Sequence, residues 1–93
     1  MKFITFCQLS DEFLKKPLEE RTGYIHQWNK IAEANRVKVL FWGMPQGVSE
    51  NLVYAFETKN DGISFFQFER EWLSLGTDEA GRFVKYLRSI VVY

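Results

Sequence analysis

The sequence predicts an α+β domain with the element order β-α-β-β-α-β, folded as a four-stranded antiparallel sheet with two helices on one face. Three observations carry that reading. Residues 2–9 alternate Phe3, Thr5, Cys7 and Leu9 with Ile4, Phe6 and Gln8, the period-two pattern of a strand. Two stretches, 17–34 and 62–75, repeat apolar residues at three- and four-residue spacing, the period of an amphipathic helix. Between them, VKVLFWGMPQGVSENLVYAF, from Val37 to Phe56, reads as two strands joined by a turn that Pro45 and Gly47 break.

Each element follows from its residues. After the first strand, Ser10, Asp11 and Glu12 supply turn and cap side chains, and Phe13–Lys16 is a connector or a first loose turn. Pro17 suits the first position of a helix that runs to about Ala34. Glu19 and Glu20 in its first turn and Lys30 near its end complement the helix dipole. Leu18, Ile25, Trp28 and Ala32 share one arc, with Tyr24 and Ile31 on its flank, and Gly23 falls on the outer side. Asn35 is a left-handed stop. The second strand spans 36–44 and the third 51–58, with the turn between them at 43–50. Asn60-Asp61-Gly62 is a turn and cap for the second helix, whose stripe is Phe65, Phe68, Trp72 and Leu75, widened by Phe66 and Leu73 and stopped at Gly76. Residues 77–82 form a loop with Thr77 as a candidate cap, and 83–93 form the last strand.

Length and composition bound the function. A chain of 93 residues makes one domain with a thin core. Twelve basic residues balance twelve acidic ones, so the chain lacks the concentrated positive field that nucleic acid requires. The near-zero charge permits copies to associate. One cysteine, Cys7, excludes an intramolecular disulfide and a multi-cysteine metal site, and its place in a buried strand marks it as a packed thiol. No apolar run reaches the roughly 20 residues of a membrane helix, and the opening MKFITFCQLSDEF is too short and too soon acidic for a signal peptide. A soluble cytoplasmic protein is the expectation, with no metal and no cofactor.

The second strand is apolar on both faces. Val37, Val39 and Phe41 point one way, and Leu40, Trp42 and Met44 the other. Two helices cover one face of such a sheet, in the ferredoxin-like manner. The other face would carry large apolar side chains into water, which soluble monomers rarely do, so a second copy is the expected cover. Pattern alone leaves open which parity of each strand faces the helices.

The opening MKFITFCQL, the helix with Ile25-His26-Gln27-Trp28, the hairpin VKVLFWGMPQG…ENLVYAFE, the helix FFQFEREW and the closing GRFVKYLRSIVVY resemble, over nearly the whole chain, the dimeric α+β barrel superfamily. The likeness is one of order and texture. Its members include antibiotic-biosynthesis-type monooxygenases, haem-degrading enzymes, small isomerases and many uncharacterised proteins. The resemblance implies a homodimer whose two sheets form a barrel, with a ligand held between sheet and helices. In the haem-degrading branch the iron-binding histidine is on the second helix. The only histidine here, His26, is on the first, about 145° from the centre of its apolar arc and facing solvent.

Glu69 falls inside the apolar arc of the second helix, where a carboxylate needs a partner. Arg21 occupies the equivalent place on the first helix, so the two are expected to form a structural ion pair. Trp42, Tyr54 and Trp72 are aromatic anchors of core or interface. Lys38 and Arg88 flank apolar strands and could orient an anion if they point inward; otherwise they are solvated edge charges. Gly43–Gly47 lacks the glycine spacing and lysine of a phosphate loop. The acid pairs Glu19-Glu20 and Asp78-Glu79 read as solvated helix starts. The expected function is therefore a homodimer that binds an apolar small molecule, through Trp42, Tyr54, Lys38 and Arg88. The alternative is a cofactor-independent monooxygenase or isomerase of an apolar or aromatic substrate, with Glu69 and Tyr54 as catalytic candidates. Haem binding through His26 is a third reading.

Overall fold

The computed structural model describes residues 1–59, 62–73 and 83–92. Its elements are β1 (Lys2–Leu9), α1 (Asp11–Leu14), α2 (Leu18–Ala34), β2 (Val37–Gly43), β3 (Leu52–Thr58), α3 (Gly62–Leu73) and β4 (Val84–Val92). The strands form one antiparallel sheet in the order β2-β3-β1-β4. That is the α+β, ferredoxin-like arrangement, with α2 and α3 on one face. No helix among the described residues is long and apolar enough to cross a membrane. The turn expected at 60–61, the helix end at Leu75 and Gly76, the loop 77–82 with Asp78 and Glu79, and Tyr93 lie outside the described residues.

Strand alternation sorts the sheet into two faces. From β1, Phe3, Thr5, Cys7 and Leu9 are buried toward the helices. Their partners place Leu52, Tyr54 and Phe56 of β3, and Val84, Leu87 and Ser89 of β4, on the same side. The helices add Ile25, Trp28 and Ala32 from α2, and Phe65, Phe68 and Trp72 from α3. Aromatic contacts fill this layer. Phe3 and Phe65 stack at 3.8 Å between ring centroids, and Trp28 and Trp72 at 4.9 Å. The indole N–H of Trp28 donates to the Trp72 carbonyl at 2.8 Å, tying α2 to the end of α3.

Three local features differ from the expectation. The residues after β1 form a true helical turn, α1, because Ser10 Oγ accepts from the Phe13 N–H and caps it. The left-handed residue after α2 is Arg36, with φ of 60°, rather than Asn35. Asn35 instead ends the helix with its side chain, donating through Nδ2 to the Ile31 carbonyl at 2.8 Å and to Glu71 at 3.0 Å. Leu18 and Phe66, both expected in apolar stripes, are exposed. Leu18 opens α2 and Phe66 lies one residue off the Phe65–Phe68–Trp72 line, so the sheet does not reach either.

A bulge in β2 decides the parity that the pattern leaves open. Val39 lies opposite Phe56 but Phe41 lies opposite Ala55, so Leu40 is the extra residue. Beyond it the faces exchange. Trp42, opposite Tyr54, joins Val37 and Val39 on the helix side, and Phe41 turns to the uncovered face. The hairpin then closes through Gly47, whose φ of 84° favours a residue without a Cβ.

Gly23 offers a direct test of the helical surface. A Cβ there would meet nothing within 4 Å. Gly23→Ala is expected to stabilise the fold by about 0.5–1 kcal/mol in chemical denaturation, through helix propensity alone. A loss of stability would contradict the placement of this face in solvent.

Candidate functional site

Polar side chains meet on both faces of the sheet. On the helix side, the turn of α3 that buries Phe65, Phe68 and Trp72 also carries Glu69 inward, leaving it 8% exposed. Its Oε1 accepts from Ser89 Oγ at 2.5 Å, and Thr5 Oγ1 donates to the same oxygen at 3.4 Å. The two hydroxyls are 2.8 Å apart. Burial pushes the Glu69 carboxyl above its ordinary value, and the hydrogen bonds from Ser89 and Thr5 partly oppose that shift.

The expected ion pair between Arg21 and Glu69 is not among the contacts of the described residues. Glu69 is satisfied by hydroxyls, and Arg21 Nε is buried without a hydrogen-bond acceptor. The reason is positional. Glu69 reaches the β1 and β4 half of the sheet, whereas α2 contacts β2 at its other edge.

Cys7 and Tyr54 occupy the same buried layer. Burial pushes the Cys7 thiol up to about 12, with the charges of Glu69 and Glu50 adding to the effect. Tyr54 is fully buried, and desolvation raises its phenol. Its hydroxyl donates to Asn29 Oδ1 at 3.0 Å. Neither group is poised as a nucleophile or base at neutral pH.

Trp42 stacks on Tyr54 with centroids 6.3 Å apart and 24° between planes, and is half exposed. Asn29, Glu33, Val39, Leu40 and Trp42 line an open groove of about 780 Å³ along the outer edge of β2. Asn29, whose Oδ1 accepts from the Tyr54 hydroxyl, links the buried phenol to the groove wall.

Lys38 and Arg88 lie on the uncovered face, opposite Glu57 and Phe6. They sit on the two edge strands, which are three strand spacings or roughly 14 Å apart, and are offset by a further four residues along the strands, so they do not converge. Arg88 lies over the Phe6 ring, 4.3 Å from its centroid, and bonds Glu50 through Nε and Nη2. That bond holds Glu50 below the usual carboxylate range and raises Arg88 in turn. His26 is exposed on α2.

The structure thus brings Trp42 to Tyr54, places Lys38 on the same groove as Trp42, and separates all three from Arg88. It also adds Thr5, Ser89, Asn29 and Glu50, which the sequence reading does not single out. Thr5 stands at an inward position of an alternating strand and Ser89 interrupts an apolar one, and those are the signals a buried carboxylate would have matched. Compared with known proteins, the chain matches no family model, no curated protein and no solved structure at a significant level.

Two outcomes check this geometry. Cys7 in the native protein is expected to resist thiol reagents at neutral pH and to label only as the fold opens; immediate labelling would contradict its burial. Tyr54→Phe is expected to cost about 1 kcal/mol in denaturant unfolding, the net value of its bond to Asn29.

Proposed function

We propose that the chain acts as a homodimer, two copies meeting through the uncovered sheet face as in the dimeric α+β barrel proteins, and that the assembly holds an apolar small molecule in or beside the barrel. One observation carries this reading. Phe41, Ala55, Ile4 and Ile90 pair in register and form an apolar row across all four strands. Phe41 is 57% exposed and Ile90 45%.

The surroundings of that row support it. Phe6 and Val53 continue the apolar patch on the same face. Charges bound it at both ends: Lys2, Glu57 and Lys38 at one, and the Arg88–Glu50 pair at the other. An apolar centre with a polar rim is the anatomy of a protein interface. A four-stranded sheet with strands this long presents roughly 450 Å² in plan. Side-chain relief brings the accessible area to the same order as the about 800 Å² per partner that a standard interface buries. Trp42, backed by the buried Tyr54 on which it stacks, is the aromatic surface offered to the ligand in the β2 groove, with Lys38 and Arg88 at the two edges of the barrel. We place this assembly in the cytoplasm.

A second reading, a cofactor-independent monooxygenase or isomerase acting on an apolar or aromatic molecule, is favoured by Glu69. A buried carboxyl shifted upward and joined to two hydroxyls is a group suited to hold and release a proton.

Sedimentation of the purified chain tests the assembly. The wild type is expected at twice its 11.0 kDa mass. Phe41→Lys and Ile90→Lys, which place a charge in the centre of the face, are expected to weaken association by about a hundredfold or more while leaving far-ultraviolet circular dichroism unchanged. A wild type that sediments as a single chain at micromolar concentration would overturn the proposal.

A further inference from the structure

We propose that Glu69, Ser89 and Thr5 form a proton-operated latch that docks α3 on the β1–β4 half of the sheet, closed while the carboxyl holds its proton and released when it loses it. The cluster ties together elements that are distant in sequence: Thr5 lies 64 residues from Glu69 and 84 from Ser89. Both hydroxyls address one oxygen, Oε1, and either hydroxyl of the Thr5–Ser89 pair can donate to the other. The chain of bonds is therefore reversible. A carboxylic acid can donate to Ser89, which then donates to Thr5. A carboxylate accepts from Ser89, which then accepts from Thr5.

The two protonation states differ in what surrounds them. No cation answers a charge on Glu69 among the described residues. From β1 the titratable neighbour is the Cys7 thiol, and from β3 the inward titratable group is the Tyr54 phenol, both neutral. From β4 only Ser89 faces it, because Arg88 lies on the opposite face bonded to Glu50. From α2, Arg21 is not among its partners. On α3 itself, Arg70 and Glu71 point outward. A carboxylate in this place is a buried charge without a counter-ion, the arrangement proteins tolerate least. Swinging α3 away from the sheet returns that charge to water and uncovers the apolar side of Phe65, Phe68 and Trp72.

The direction of the pH effect follows. The folded carboxyl sits above its unfolded value. The docking it supports is therefore complete below the unfolded carboxylate range and is lost as pH rises through the folded value. Between the unfolded and the folded values the open population grows toward tenfold per pH unit, since opening releases a single proton, and above the folded value it levels off.

Amide hydrogen exchange, followed by NMR on the full chain from about pH 5 to 9 and corrected for intrinsic rates, tests the latch. The amides of 65–73 are expected to lose protection with rising pH, toward tenfold per unit, while β1 and β3 hold theirs. Glu69→Gln, which keeps the shape without the titration, is expected to remove the slope. A flat wild-type profile, an unchanged slope in the variant, or a loss shared equally by β1 and β3 would each overturn the proposal. If the variant does not fold, the carbon-13 shift of the Glu69 carboxyl in the wild type decides. Titration at the pH where the loss of α3 protection levels off supports the latch, and titration in the ordinary carboxylate range overturns it.

Discussion

Two helices can cover only one face of a four-stranded sheet, and most of this structure follows from that limit. Among the described residues, α2 and α3 are the helices long enough to lie across the sheet. Strand alternation then assigns each residue to a covered or an uncovered side. Phe3, Thr5, Cys7 and Leu9 go to the core, and Ile4 and Phe6 go to the other face. Because both sets are largely apolar, the fold completes one hydrophobic layer, and no element among the described residues covers the second face. The aromatic richness of the sequence reflects this doubling. The rings of Phe3, Phe65, Phe56 and Phe68 serve the first layer, while Phe41 is left for the second.

The same limit separates the polar groups. Glu69, Thr5 and Ser89 belong to the helix side, and Arg88, Glu50 and Lys38 to the open side. They cannot form one catalytic constellation across the sheet. Each set has its own physical logic. Glu50 is satisfied by a guanidinium that also stacks on Phe6, so its charge is retained. Glu69 lies in an aromatic layer whose desolvation raises its carboxyl, against the opposing hydrogen bonds from Ser89 and Thr5. Two carboxyls in a small domain are thus driven in opposite directions, Glu50 by its guanidinium partner and Glu69 by burial, and the one on the helix side is tied to the packing of a helix.

The bounds of β1 and the span of α2 were legible because each rests on local periodicity: Lys2–Leu9 alternates cleanly, and Ile25, Trp28 and Ala32 recur at helical spacing. The strand order followed from the element order. What was not legible depended on backbone hydrogen bonding or on long-range contact. The bulge at Leu40 is a register shift against β3 that no alternation in β2 reveals, and it moves Trp42 and Phe41 to faces opposite to each other's expected neighbours. The partners of Glu69 lie on β1 and β4, so helical spacing identified the buried carboxylate but pointed to Arg21 instead of Ser89. Asn29 became a site residue only because the Tyr54 hydroxyl reaches it across the core. Leu18 and Phe66 show the converse: the helical pattern includes them, but the sheet is not wide enough to cover them.

The proposed second copy of the chain would cover the apolar row from Phe41 to Ile90. Native mass spectrometry of the protein, purified without harsh desalting, addresses it most directly. The account predicts a species of two chains, and mass beyond two chains would begin to identify the apolar molecule held with them. A single chain as the dominant species under gentle ionisation would contradict it and would require some other cover for the open face of the sheet.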